Sequence, residues 1–265
     1  MKVLVTVKEV AEVADDFEIE GLTIPEKYLE YDLNEWDDYA VEAAVRIAEE
    51  RDGVEVVAVT IGPERSEETI RMALAKGVDR AIRVWDDTLA EAGLLDPTAT
   101  ARILAAVAER EEPDLVLSGV QAADDGFGAT GVALAEHLDF GWAAVVNNLV
   151  VDGDVVGEAS VRRELEGGVE ELTTVDLPAV LTIQTGINDP RYASLRGIRQ
   201  AQRKELDVRT LADLDLDPSV ADADLTLATM AKPESESEAT LFEGDPSETA
   251  ADLETVLRDA GVGAE

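Results

Sequence analysis

Apolar residues are distributed along this chain in two rhythms. Residues 2–7, 54–61, 80–84, 114–119 and 178–182 form short runs that are apolar at most positions. Such runs read as strands covered on both faces, since a strand with one wet face would alternate. Between them, apolar residues recur every three or four positions. Residues 37–50 place Ala40, Val41, Ala44, Val45 and Ala48 along one helical face. Residues 66–76 read as a helix with Ser66 as N-cap and Gly77 as its stop, and residues 96–109 as one with Pro97 in the first turn. A further helix is predicted over 129–138. Repeated strand–helix units predict an α/β fold, a mostly parallel sheet with helices on both faces.

Elsewhere the pattern changes. Residues 8–35 read as a loop long enough to suggest function. Beyond Gly141 the runs alternate and are punctuated by Asp152-Gly153-Asp154 and Gly167-Gly168, which predicts hairpins. Residues 222–245 are Ser- and Glu-rich and read as a loosely held linker, and 247–260 as a terminal amphipathic helix. The expected organisation is an α/β domain over 1–190 and a C-terminal, partner-contacting arm over 191–265.

Charge then narrows the partners. Fifty-nine Asp and Glu against 22 Lys and Arg give a formal net charge of −37, and only six of the basic residues are Lys. Nucleic acid is excluded as a main partner, because phosphate backbones need a basic footprint, and anionic membrane surfaces are disfavoured for the same reason. The acids are spread along the whole chain, which reads as a surface kept hydrated in concentrated salt. No apolar run reaches the ~18 residues of a membrane-spanning helix, and the N-terminus enters a strand pattern at once, so a soluble cytoplasmic protein without membrane insertion is expected. There is no Cys and one His, His137. Disulfides, thiol nucleophiles and Cys-bound clusters are therefore excluded, and a Ser-His-Asp triad has no partners to build on.

Two features stand out against this background. Gly126-Phe127-Gly128-Ala129-Thr130-Gly131 fits G-x-G-x-x-G, follows a predicted strand and opens a helix, the setting in which amides cradle a phosphate. It follows the fourth strand of the chain and lacks the acid that would hold a ribose, so an NAD-dependent oxidoreductase, which rests on this motif alone, is a weaker reading than phosphate cradling. The second feature is basic: Arg191, Arg196, Arg199, Arg203, Lys204 and Arg209 lie within 19 residues. Singly they read as a helix face paired with carboxylates; as a cluster they suit an acidic surface or a phosphate.

Ordered motifs carry a resemblance. Val5-Thr6-Val7-Lys8-Glu9-Val10, then Asn34-Glu35-Trp36-Asp37 running on to Arg46, then Gly62-Pro63 with Glu68-Thr69-Ile70-Arg71 and Gly77-Val78-Asp79-Arg80, then Gly119-Val120-Gln121-Ala122-Ala123-Asp124 ending at Thr130-Gly131, follow one another as in the beta subunits of electron-transfer flavoproteins. Val161-Arg162-Arg163-Glu164-Leu165-Glu166-Gly167-Gly168-Val169-Glu170 and Asn188-Asp189-Pro190-Arg191-Tyr192 continue the series, so that residues 2–205 resemble that family. The sequence departs from it in Glu35 for a usual Pro, in Ala129 where Gln is common, and in one extra residue between Glu170 and Pro178, which predicts a shifted hairpin register.

The resemblance implies a Rossmann-like fold with hairpins and an extended C-terminal arm, in a heterodimer with an alpha subunit that holds FAD. It implies a non-enzymatic electron carrier between acyl-CoA or other flavin dehydrogenases and a quinone reductase. It also implies AMP as a structural ligand, or a second FAD in the electron-bifurcating branch. Carried over by position, the cofactor site would draw on Thr6, Asn34, Glu35, Trp36, Asp37, Ser66, Gly119, Gln121, Asp124, Asp125, Gly126, Gly128, Ala129, Thr130 and Gly131. Partner binding would fall to Tyr192, Leu195, Arg196, Ile198 and Arg199. A stand-alone adenine-nucleotide-binding module of stress-protein type shares the α/β pattern and remains the alternative.

Overall fold

The computed structural model describes residues 1–151, 157–233 and 239–262. In chain order the strands and α-helices are β1 (Lys2–Thr6), β2 (Glu9–Val13), β3 (Leu29–Leu33), α1 (Glu35–Glu50), β4 (Glu55–Ile61), α2 (Ser66–Lys76), β5 (Arg80–Val84), α3 (Asp87–Glu91), α4 (Pro97–Glu111), β6 (Leu115–Gly119), α5 (Thr130–Leu138), β7 (Gly141–Val151), β8 (Glu158–Leu165), β9 (Val169–Asp176), β10 (Ala179–Ile183), α6 (Leu195–Ala201), β11 (Leu206–Arg209) and α7 (Pro246–Asp259).

Nine strands form one sheet in the order β11-β5-β4-β1-β6-β10-β7-β8-β9. Its strands run parallel from β11 through β7, and β8 and β9 extend it as an antiparallel meander. The two-residue period explains why the central runs are apolar throughout. Val3, Val5, Val56, Ala58, Leu115, Leu117, Ala179 and Leu181 face one core with α1 and α2. Their neighbours Leu4, Val57, Val59, Val116 and Val180 face a second core with α4 and α5. The α/β fold expected from the sequence is the one observed.

Several local expectations differ. The predicted loop over 8–35 contains a hairpin, β2 against β3, in register from Glu9↔Leu33 to Val13↔Leu29. Leu29, Tyr31 and Leu33 alternate with Glu30 and Asp32, a period-two signal too short to stand out beside its polar surroundings. Helix α1 begins at Glu35, two residues before the expected start. Ser66 is the first helical residue of α2 and not its N-cap, which is Arg65. The basic stretch is not one helix: α6 takes its first half, and β11 adds to the sheet edge beside β5.

The β8–β9 ladder runs without a register shift from Glu164↔Glu170 to Glu158↔Asp176. Pairing shifts occur between β7 and β8 at Val146 and Asn148, and between β10 and β7 at Leu181 and Ile183. The predicted linker is pinned at its start, where the Asp96 carboxylate accepts from the amides of Asp224 and Leu225 at 2.6 and 3.2 Å. The Asp152-Gly153-Asp154 turn lies outside the described residues.

The described chain forms two compact units, Met1–Met230 and Ala231–Glu265. The second contains α7, capped by Asp245 through the amides of Ser247 and Glu248, with Leu253, Val256 and Leu257 exposed on the helix.

Candidate functional site

The sheet order reverses direction at β1. From there β4 and β5 lie to one side, and β6 and β10 to the other. Loops leaving the carboxyl ends of β1 and β6 diverge at this point and open a crevice, the place where open parallel sheets bind ligands. A cleft lies there, lined by Thr6, Val7 and Lys8 at the end of β1, by Ser118 to Ala122 at the end of β6, and by Asp125 and Phe127 to Thr130 leading into α5.

Two side chains from the start of α1 hold the crevice open in one shape. Asn34, 1 % exposed, spans to the β6 loop: its Nδ2 donates to the Gln121 carbonyl at 2.9 Å and its Oδ1 accepts from the Ala123 amide at 3.2 Å. Asp37 bridges the two diverging loops, its Oδ2 accepting from Lys8 N–H at 2.8 Å and its Oδ1 from Gly119 N–H at 3.0 Å. Burial pushes the Asp37 carboxyl up to about 6, against the hydrogen bonds from Lys8, Asn34 and Gly119 that favour its charge. Gly119 has to be Gly: a Cβ there would sit 2.6 Å from Asp37 Oδ1 and 2.7 Å from Trp36 Cβ.

The far wall is the start of α5. By helix geometry the amides of Thr130, Gly131 and Val132 have no partner within the helix, and among the described residues nothing else accepts from them. Those amides and the helix dipole favour an anion. The apolar side chains of Val59, Ile61, Leu95 and Leu104 line the same cleft. Amide donors and apolar side chains on one cleft lining are the chemistry that suits a phosphate-bearing ligand with a flat ring.

The structure brings together Thr6, Asn34, Asp37, Gly119, Gln121, Asp125, Gly128, Ala129 and Thr130 on the cleft lining. Asp124, Gly126 and Gly131 belong to the same loop and helix start without facing into it. Gly131 instead lets α5 approach the sheet, since a Cβ on it would lie 2.5 Å from Thr182 Cγ2. Glu35 is exposed, and Trp36 donates through Nε1 to Gln184 Oε1 at 3.1 Å.

Ser66 is placed apart. It is 1 % exposed, and its hydroxyl donates to Glu9 Oε1 at 3.1 Å. Thr69 donates to the other oxygen of Glu9, and Arg65 Nε lies 2.9 Å from Oε1. The anion position at the start of α2 therefore holds the chain's own carboxylate. Lys8, Ser118 and Phe127 line the cleft without having been singled out from sequence. Lys8 carried a signal, as the one cation inside the first motif.

The partner-binding candidates cluster on another surface. Tyr192 is 98 % exposed, Leu195 79 % and Ile198 39 %, with Ser194 capping α6 through the Gly197 amide. Arg196 and Arg199 are exposed and form no ion pair among the described residues. Among the described residues no group of three or more His, Asp or Glu is placed to hold a metal, and no helix is long and apolar enough to cross a membrane.

A mostly parallel sheet with helices on both faces and a cleft at its switch point defines a Rossmann-like protein of the α/β class. Residues 21–214 match the electron transfer flavoprotein domain. The chain is 46 % identical to the electron transfer flavoprotein subunit beta of Methylophilus methylotrophus, over 98 % of both chains. It is 34 % identical to that of Bacillus subtilis over 97 % of this chain and 98 % of the other, and 39 % identical to that of Bos taurus over 82 % and 84 %. The chain belongs to the electron transfer flavoprotein beta-subunit family.

Proposed function

We propose that this chain is the beta half of a heterodimeric electron carrier, in which an alpha subunit holds FAD and the cleft at the switch point binds AMP as a structural ligand. The observation that carries the reading is the crevice between the β1 and β6 loops, whose lining combines Gly128, Ala129 and Thr130 at the start of α5 with the apolar side chains of Val59, Ile61, Leu95 and Leu104. In such a carrier flavin supplies the electron transfer, and the protein supplies position and electrostatics. This chain's part is then to bind the nucleotide, to hold its two loops through Asn34 and Asp37, and to display Tyr192, Leu195 and Ile198 to redox partners. Flavin dehydrogenases, those acting on acyl-CoA among them, would deliver electrons, and a quinone reductase would receive them. Membership of the beta-subunit family supports a carrier and not an enzyme with its own substrate chemistry. We place this exchange in the cytoplasm.

The test is to purify the complex intact, denature it and identify what it releases. One FAD and one AMP per heterodimer are expected. Two FAD without AMP would assign the chain to the bifurcating branch. A beta chain that forms a homodimer, ignores an alpha subunit and takes up ATP would overturn the proposal in favour of a stand-alone nucleotide-binding module.

A further inference from the structure

We propose that Lys8 is the side chain that meets the phosphate in this cleft, and that without a nucleotide its ammonium is held in reserve by Asp124 and Asp125. The inference rests on the nucleotide reading above. Lys8 leaves the carboxyl end of β1 with its root fixed: its amide donates to buried Asp37, and the preceding Val7 amide donates to the Val59 carbonyl at 2.8 Å. It is the one Lys or Arg among the described residues lining the cleft. Its Nζ lies 2.6 Å from Asp124 Oδ1 and 2.7 Å from Asp125 Oδ2.

The same two carboxylates organise the glycine loop. Asp124 Oδ1 accepts from the Asp125 amide at 2.9 Å, and Asp125 Oδ1 from the Phe127 amide at 3.1 Å. Lys8 therefore ties the glycine loop that lines the cleft to the end of β1. The Lys8 side chain is 39 % exposed and those of Asp124 and Asp125 29 and 30 %, so each pair is a weak, solvent-screened one. A phosphate dianion that is also bound by the α5 amides can take the lysine from them at small cost. Charge then sets the preference. The lining carries one cation, Lys8, against Asp37 and Asp125. One phosphate group is balanced by Lys8 and the amides, whereas each added phosphate brings charge towards Asp124 and Asp125 in a chain already at −37. The cleft should therefore favour a nucleoside monophosphate.

Calorimetric titration of the nucleotide-stripped heterodimer with AMP and with ATP tests this. For Lys8→Gln, AMP affinity should fall at least tenfold, with Lys8→Arg recovering much of it. For the double variant Asp124→Asn, Asp125→Asn, the preference for AMP over ATP should shrink several-fold. An unchanged preference in that variant would overturn the reserve role. If the wild type binds AMP and Lys8→Gln binds it equally, this inference fails alone. If the wild type binds no adenine nucleotide, the functional reading fails with it.

Discussion

Arg191 reaches back 149 residues to Glu42 on α1, its Nε donating to Glu42 Oε2 at 2.7 Å and its backbone amide to the same oxygen at 3.2 Å. Arg46 Nε donates to the other oxygen at 2.7 Å, and the guanidinium of Arg191 continues to Glu49 at 2.6 Å. This network roots the exposed segment that follows, from Tyr192 to Ile198, on the helix whose first turn shapes the cleft. Glu42 is 4 % exposed, so its charge depends on these partners.

Arg191→Met should therefore destabilise the fold by about 2–4 kcal/mol, because a buried carboxylate loses its main partner. Urea unfolding measures the loss. Glu42→Gln combined with Arg191→Met should cost less than the sum of the single changes, since Glu42→Gln removes the charge that Arg191→Met strands. Burial raises the Glu42 carboxyl, but hydrogen bonds from Arg191 and Arg46 outweigh it and hold the group below the ordinary glutamate range. Its stabilisation is thus full above that range and lost as pH falls through the lowered value.

Asp37 titrates with the opposite sign. Its carboxyl is raised from 3.8 to about 6 in the folded chain, so between those values the native state binds the proton that the unfolded state has released. Stability from this group is greatest in acid and falls as pH rises through about 6. The shift corresponds to roughly 3 kcal/mol. The stability difference between wild type and Asp37→Asn, followed from pH 4 to 7, should shrink by an amount of that order. A difference independent of pH would contradict the assignment.

The glycines of the G-x-G-x-x-G motif should separate by role. Gly131→Ala places a methyl 2.5 Å from Thr182 Cγ2 and 3.4 Å from Ser118. Thr182 cannot turn away freely, because its Oγ1 accepts from Val145 N–H at 2.9 Å. Overpacking of this kind costs about 1–3 kcal/mol and moves the start of α5, so stability and nucleotide affinity should fall together. Gly126→Ala meets nothing within 4 Å and bears only the strain of φ +62°, about 1 kcal/mol. Thermal melts and nucleotide titrations of the two variants distinguish them.

What the sequence showed and what it hid follow from distance along the chain. The central strands were legible because burial on both faces writes a continuous apolar run, and α2 matched to the residue at Ser66–Lys76. The glycine loop was legible because its residues are consecutive. The partner of Ser66 was not: its hydroxyl donates to Glu9, 57 residues away within a stretch read as loop. The partners of Lys8 were hidden likewise, because its two aspartates lie 116 and 117 residues downstream. Local spacing records helices and strands; it does not record which carboxylate a fold delivers to which cation.

The exposed segment gives the last prediction. Leu195 is 79 % exposed at the first position of α6, and Tyr192 98 % exposed three residues earlier, so neither supports the core. Leu195→Ala should leave the melting temperature of the complex within a degree or two of wild type, as surface changes do. If the segment anchors a redox partner, the same change removes a central apolar contact, and electron transfer from a flavin dehydrogenase should slow at least tenfold. Arg196→Glu with Arg199→Glu should act differently. These two guanidiniums are unpaired among the described residues, on a chain whose other charges are mostly negative, so they bear on approach and orientation. Their reversal should slow transfer most at low ionic strength and least at high, where screening shortens the reach of charge to a few ångströms. Rates unchanged by all three substitutions across the salt range would move the docking surface elsewhere on the molecule.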